Sequence, residues 1–263
     1  MTPRHIQAVF FSPTGGTKSY IEAFCSRYPE AQISLIDMTT STQKVELTGD
    51  LIVLGAPVYE GTIPETAAQR FRSISGDAIP TVTLVSYGQV EYGAALYQLE
   101  QIARGMGLTP FCSIAAPAHH SFSTDKAPLA FGRPDEQDLR DMRRCELVGG
   151  TTPKKRALMS LLMPTDSAKI LTKVPKVDDQ LCISCGLCVK ACPVSSISSR
   201  DFSIDPSVCL RCFACVKVCP TSARAIKYRL SPIVTRFLKY HDRQRAPLAV
   251  FSTEAADLLD IDL

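Results

Sequence analysis

Cys182-Ile183-Ser184-Cys185-Gly186-Leu187-Cys188-Val189-Lys190-Ala191-Cys192-Pro193 is answered further along the chain by Cys209-Leu210-Arg211-Cys212-Phe213-Ala214-Cys215-Val216-Lys217-Val218-Cys219-Pro220. Every cysteine of the first run recurs in the second at one constant offset: 182 with 209, 185 with 212, 188 with 215, 192 with 219. The repeated unit is a set of ligands. A cubane iron–sulfur cluster needs thiolates at the corners of a small tetrahedron. Three cysteines at i, i+3 and i+6 on a tight loop can wrap one side of it, and the fourth must arrive from elsewhere. Structural zinc is the competing use of paired Cys-x2-Cys sets. Zinc takes four thiolates, however, and has no use for a third cysteine at i+6 or for a Cys-Pro close in both runs.

All eight positions resemble the bacterial two-cluster ferredoxins, over about residues 176–229. In that family the fourth cysteine of each run ligates the other cluster. The resemblance implies one [4Fe-4S] cluster on Cys182, Cys185, Cys188 and Cys219, and a second on Cys209, Cys212, Cys215 and Cys192. Such a swap ties together a segment with little apolar core of its own. Gly186 and Ala214 keep the loops small where backbone N–H groups approach inorganic sulfide.

The chain has 263 residues, room for two compact units, with 45% hydrophobic and 21% charged residues. Eleven cysteines without an apolar leader at the start do not read as a secreted disulfide framework. No apolar run approaches the ~18 residues of a membrane span. Thiols committed to iron imply a reducing, cytoplasmic setting. Charge is uneven: residues 1–150 carry a net −4 and residues 151–263 a net +7, for +3 in all. A basic tail raises nucleic acid as a partner, but no interleaving of aromatic and basic residues supports it. Anionic clusters and an acidic first half account for the excess better.

From the start, Ile6–Phe11 reads as a buried strand. It breaks into Ser12-Pro13-Thr14-Gly15-Gly16-Thr17, and then Tyr20, Ile21, Phe24 and Tyr28 fall at helical spacing. A strand, a Gly/Ser/Thr loop and a helix N-terminus make a cradle for an anion. The loop is neither a dinucleotide fingerprint nor a nucleoside-triphosphate loop; its hydroxyls suit a terminal phosphate monoester. Further strands are expected at 33–38, 51–56, 81–86 and 111–116, and helices through Phe71, over 94–106 and over 135–147. Repeated βα units predict a doubly wound, five-stranded parallel sheet with its ligand at the carboxyl ends of the strands. The third strand ends in Pro57-Val58-Tyr59-Glu60-Gly61, and the fourth in Tyr87-Gly88-Gln89-Val90-Glu91-Tyr92-Gly93. Aromatic residues on two loops can sandwich a flat heterocycle, and glycines let backbone amides reach its edge. A planar ring with one phosphate is FMN.

Residues 4–150 thus resemble the flavodoxins, with Gly16 standing where many of them carry asparagine. The resemblance implies a phosphate loop at 12–17 and isoalloxazine loops at Pro57–Gly61 and Tyr87–Gly93. Tyr59 is the firmest ring-stacker; Tyr87 and Tyr92 compete for the other face. Glu60 and Glu91, near the flavin edge, would lower its potential by disfavouring an anionic reduced ring. The chain as a whole looks like a fusion of a flavodoxin-like unit (1–150) and a small α+β dicluster ferredoxin-like unit (176–229). A linker (151–175) with a short helix around Leu158, Leu161 and Leu162 joins them. The tail (230–263) either clasps the first half or serves a partner. Cys25, Cys112 and Cys145 are expected in the core, and His119-His120 as a satisfied loop pair or as proton donors at a flavin. These features imply a relay between FMN and two [4Fe-4S] clusters that converts two-electron into one-electron steps for a redox protein donor or acceptor. An FMN-dependent reductase fed by the clusters is the other enzyme-class reading. Oligomeric state is not legible.

Overall fold

Strand-forming runs alternate with amphipathic helices through the first half, and the alternation dictates the sheet. The computed structural model describes residues 2–145 and 166–252. Its first half runs β1 (His5–Phe10), α1 (Gly16–Cys25), β2 (Gln32–Asp37), β3 (Val45–Glu46), β4 (Leu51–Pro57), α2 (Glu65–Phe71), β5 (Ile74–Ser75), β6 (Pro80–Tyr87), α3 (Ala95–Gly105), β7 (Thr109–Pro117) and α4 (Glu136–Arg143). The main sheet has the order β2-β1-β4-β6-β7-β8, where β8 is Ala249–Ser252 from the tail. The first five strands are parallel, and β8 pairs antiparallel with β7. Counting only the parallel strands, the order is 2-1-3-4-5, that of the flavodoxin-like doubly wound sheets. The short β3 and β5 pair separately.

The central strands are apolar on both faces because helices cover both. One core holds Ile6, Phe10, Tyr20, Ile21, Phe24, Val53, Leu84 and Ile114; the other holds Val9, Phe11, Leu54, Phe71, Leu96 and Leu99. Gly55 lets α1 close on β4, since a Cβ there would lie 2.5 Å from Ile21 Cδ1. Cys25, Cys112 and Cys145 are buried in the first of these cores, as expected.

The expected five parallel strands are all present, and the correction is a sixth from the tail. Ala249-Val250-Phe251 covers the β7 edge, which would otherwise offer unpaired backbone groups. A charged network holds it there. Arg133 and Asp138 are both buried and pair through Nε–Oδ2 (2.9 Å) and Nη2–Oδ1 (2.6 Å), while Arg245 reaches Asp138 (2.6 Å) and Asp135 (2.7 Å). Gln89 donates to the carbonyls of His241 and Gln244. The tail therefore clasps the first half through residue 252. The linker helix expected around Leu158–Leu162, and the acidic end of the chain, lie outside the described residues.

The second half adds α5 (Ser167–Leu171), α6 (Leu187–Lys190), α7 (Ala214–Lys217) and α8 (Ser231–His241). Isolated bridges Val177–Arg224, Ile197–Ile204 and Thr172–Tyr228 tie its loops together. Arg224 is buried and donates to the carbonyls of Pro175 (2.6 Å) and Phe202 (2.5 Å), crossing the small unit. The cysteine repeat is also a backbone repeat. Ser184, Gly186 and Ser195 have φ of 54°, 73° and 50°; their counterparts Arg211, Phe213 and Ser222 have 58°, 59° and 55°. The counterpart of Gly186 is thus Phe213, which takes the left-handed conformation despite its ring.

Candidate functional site: a cavity between two ligand frameworks

The loop after β1 is built as an anion cradle. Gly15 has φ of 87° immediately before α1. Among the described residues, the backbone N–H groups of Thr14, Gly16 and Thr17 find no protein acceptor. The loop is held from behind: Ser12 N–H donates to Thr39 Oγ1 (2.8 Å), and Ser12 Oγ accepts from Lys18 N–H (3.1 Å). Free N–H groups at a helix start suit a phosphate.

Above this loop lies a cavity of about 830 Å³. Its floor and sides come from the first half: Thr14, Gly15, Gly16, Ser19, Pro57 through Glu65, Ser86, Tyr87 and Gly88. Of the residues expected at a flavin site, Thr14, Gly15, Gly16, Pro57, Val58, Tyr59, Glu60, Gly61, Tyr87 and Gly88 line it. Ser12, Pro13, Thr17, Tyr92 and Gly93 do not. Thr17 is buried, its hydroxyl 2.7 Å from that of Ser86. Tyr92 stands behind Tyr87, edge-on with centroids 5.3 Å apart, and touches Phe251 of the tail. Gly93 is where two loops meet, since a Cβ there would lie 2.5 Å from Gly61 O. The structure thus separates the two competing tyrosines: Tyr87 borders the cavity and Tyr92 braces it. Ser19, one turn into α1, is a lining residue that the motif did not single out.

The remaining walls come from the second half: Asp166 through Lys169, Leu210, Arg211, Lys217 and the α8 face of Ile233, Val234, Phe237 and Leu238. These residues carry no family signature beyond lying near the cysteines, so only the docking of the halves reveals them. That docking has several fasteners. Glu60 accepts from Asp166 N–H (3.0 Å), Ala168 N–H (2.8 Å) and Ser167 Oγ (2.9 Å). Arg70 donates to the carbonyls of Met38 (2.9 Å) and Thr39, and across to Pro193 (2.6 Å). Phe122 and Phe213 meet edge-to-face at 5.9 Å. Ala127 and Leu129 pack with Val234 and Leu238 in a small third core. Glu60, expected near the flavin edge, lines the cavity, and its carboxylate also caps α5.

The cysteines fall into two groups. Cys182, Cys185, Cys188 and Cys219 together line one small pocket with Ile183, Gly186, Leu187 and Arg224. The other four are mutually close: burial pushes the thiols of Cys212 and Cys215 up to about 12, with Cys209 and Cys192 adding to each shift. Among the described residues no three Cys, His, Asp or Glu side chains converge as a single-ion site requires. Backbone N–H groups already aim at the fourth cysteines, from Ser196 to Cys192 Sγ (3.3 Å) and from Ala223 to Cys219 Sγ (3.2 Å).

The two sets differ in environment. Cys209, Cys212 and Cys215 are buried, whereas Cys185 is exposed and Cys182 and Cys188 are partly so. Burial raises the phenol of Tyr59 well above the ordinary value, with a smaller contribution from Cys212. His119 and His120 line the cavity as well. Each accepts a backbone N–H at Nδ1, from Gly132 (3.3 Å) and Phe122 (3.0 Å). Burial lowers both to about 4, helped by Lys217 for His119 and by His119 and His241 for His120.

Comparison with known proteins agrees with this division. A family model described as "4Fe-4S dicluster domain" matches residues 174–220. No curated protein matches the chain. Among solved structures, flavodoxin 2 from Bacillus cereus is 15% identical over 53% of this chain and 93% of its own, with a TM-score of 0.40. A flavodoxin from the domain Archaea is 16% identical over 53% of this chain and 92% of its own, with a TM-score of 0.38. The strand order, not these distant likenesses, defines the first half. The chain joins a flavodoxin-like α/β unit to a dicluster iron–sulfur unit. Among the described residues no helix is long and apolar enough to cross a membrane.

Proposed function

We propose that the protein is an electron-transfer flavo-iron-sulfur protein that relays electrons between FMN and two [4Fe-4S] clusters, passing pairs in or out as single electrons. The observation that carries this reading is the shared wall: Tyr59 of the flavin loop and Arg211, which lies between Cys209 and Cys212 of the inner cysteine set, line the same cavity. The free N–H groups behind Thr14 and Gly16 would hold the phosphate, Tyr59 and Tyr87 would border the ring, and the crosswise cysteine sets would hold the clusters. Bound there, FMN supplies two-electron chemistry and each cluster one-electron chemistry. The chain's own contribution is to fix these sites against each other, keep the inner one less exposed and leave the outer one reachable. A redox protein docking over Cys182–Cys188 would be the one-electron partner.

A reductase with its own substrate would need a proton donor over the ring. His119 and His120 are the candidates by position, but with pKa values lowered to about 4 neither is an imidazolium at neutral pH. The exposed outer cysteine set favours the carrier reading, and the cavity lined by His119 and His120 makes the reductase the second reading. Anaerobic purification followed by iron, sulfide and flavin assay tests it: about eight iron and one FMN per chain are required. Reducing equivalents entering at the flavin must then appear in the clusters by electron paramagnetic resonance. Iron without flavin, or a reduced flavin that leaves the clusters oxidised, would sink the proposal.

A further inference from the structure

We propose that Arg211 is a counter-ion shared by the cavity and the inner cysteine set, placed to raise the reduction potential of both centres. The inference rests on the two-centre reading above. Arg211 lies between Cys209 and Cys212 in sequence and also lines the cavity. It is only 4% exposed, and its Nε and Nη1 are buried without any hydrogen-bond partner among the described residues. A sealed guanidinium with unmet donors costs several kcal/mol unless a negative group faces it.

Among the protein's own carboxylates at the cavity, Glu60 caps α5, Glu65 pairs with Arg72 at 3.3 Å, and Asp166 pairs with Lys169 at 3.1 Å. Neither these nor Glu91 bonds Arg211 Nε or Nη1. What remains to face Arg211 is what the two sites would hold. A cluster with four thiolates is anionic, and its charge grows with each electron; a flavin ring that takes up more electrons than protons would gain negative charge as well. A fixed cation beside both favours the reduced form of both.

The internal repeat supplies a control. The counterpart of Arg211 in the outer set is Ser184, which is exposed and has almost the same φ, 54° against 58°. The loop therefore needs no arginine to take its left-handed turn around a cluster. The arginine stands only in the copy that faces the cavity.

The test uses full-length holoprotein carrying Arg211→Ser, the residue from the chain's own repeat, alongside Arg211→Gln and Arg211→Lys. Iron and FMN content are measured first, then an anaerobic redox titration follows the flavin by visible absorbance and the clusters by electron paramagnetic resonance. In the Ser variant the flavin and one cluster should each become at least tenfold harder to reduce, equivalent to about 59 mV for one electron. The other cluster should not move, and Lys should restore more than half of each shift. The Gln variant, closer in size, must repeat the pattern and replaces Ser should Ser lose iron. Potentials unchanged in both neutral variants, a shift confined to one centre, or an equal shift of all three would overturn the proposal. A wild-type protein without FMN would instead defeat the two-centre reading before any variant is compared.

Discussion

Glu60 offers the sharpest test of how the halves are held together. Its carboxylate accepts three hydrogen bonds from Asp166, Ser167 and Ala168 at 3.0, 2.9 and 2.8 Å, two of them backbone N–H groups at the start of α5. Removing a side-chain cap of this kind costs ~1 kcal/mol, up to ~2 in proteins. Glu60 is exposed, so water competes for its oxygens and the upper figure is a ceiling. A loss of 1–2 kcal/mol multiplies the open population about 5- to 30-fold. In Glu60→Ala, amide hydrogen exchange should accelerate by that factor over Asp166–Leu171, while Leu51–Ala56 in the sheet stays as protected as in the wild type. Glu60→Gln keeps one acceptor oxygen and should fall between. The same cap implies that neutralising Glu60 raises the flavin potential only slightly, because its charge is already met by donors from the second half. Exchange over Asp166–Leu171 that changes less than twofold in Glu60→Ala would refute the reasoning, since the three contacts would then contribute nothing to docking.

Asp138→Asn leaves Arg133 buried without its full charge partner, so it should cost ~3–5 kcal/mol and release β8, read as a lower melting temperature and early proteolysis within 243–252. Asp135 is held below the ordinary carboxylate range by its hydrogen bonds to Arg245. The clasp should therefore be intact above about pH 4 and loosen as pH falls further, seen as faster exchange in Ala249–Ser252 upon acidification. His119 and His120 have folded pKa values lowered to about 4, so they bind fewer protons folded than unfolded. Their contribution should be complete above about pH 6.5 and diminish toward pH 4; proton NMR should find both neutral at pH 6, and an imidazolium there would contradict the burial argument. Cys219→Ser should remove the cluster of the exposed set, and Cys192→Ser that of the buried set, each lowering iron to about four per chain. Loss of the opposite cluster in either variant would refute crosswise ligation.

The legible part of the molecule was the part whose information is local. Thiolates at fixed spacing, apolar runs broken by Gly/Ser/Thr loops and helix-spaced leucines each fix a neighbourhood of about ten residues. The expected strand at 111–116, for example, is found as β7 over Thr109–Pro117. What stayed hidden depends on contacts between distant residues. Ala249-Val250-Phe251 is a short apolar run of the kind any core uses, and nothing in it states that it will cover the β7 edge. Glu60 beside a predicted ring reads as a tuning charge until the start of α5 is found above it. Tyr87 and Tyr92 are equivalent in sequence and are separated only because Gly93 packs on Gly61 and turns Tyr92 toward Phe251. Arg211 had one available clue, that its counterpart in the repeat is a serine.

On the proposed relay, that asymmetry between the copies orders the centres. Two ligand sets of identical spacing could in principle be used interchangeably, but burial makes them unequal. The set containing Cys212 is the less exposed, with Cys209, Cys212 and Cys215 buried and Cys192 partly so, and it is anchored to the first half through Arg70 and Pro193. The set containing Cys185 is open to solvent, with the exposed Leu181, Ile183 and Leu187 around it. The less exposed centre is the better placed to exchange electrons with a neighbour inside the protein, and the exposed one to meet a partner. The order flavin, inner cluster, outer cluster follows from those two environments. It requires that disabling the outer cluster through Cys185→Ser leave flavin-to-inner-cluster transfer intact while abolishing delivery to an external one-electron acceptor. If delivery instead survives Cys185→Ser and fails only in Cys212→Ser, the exposed set is not the exit, and the inference from burial to direction is wrong.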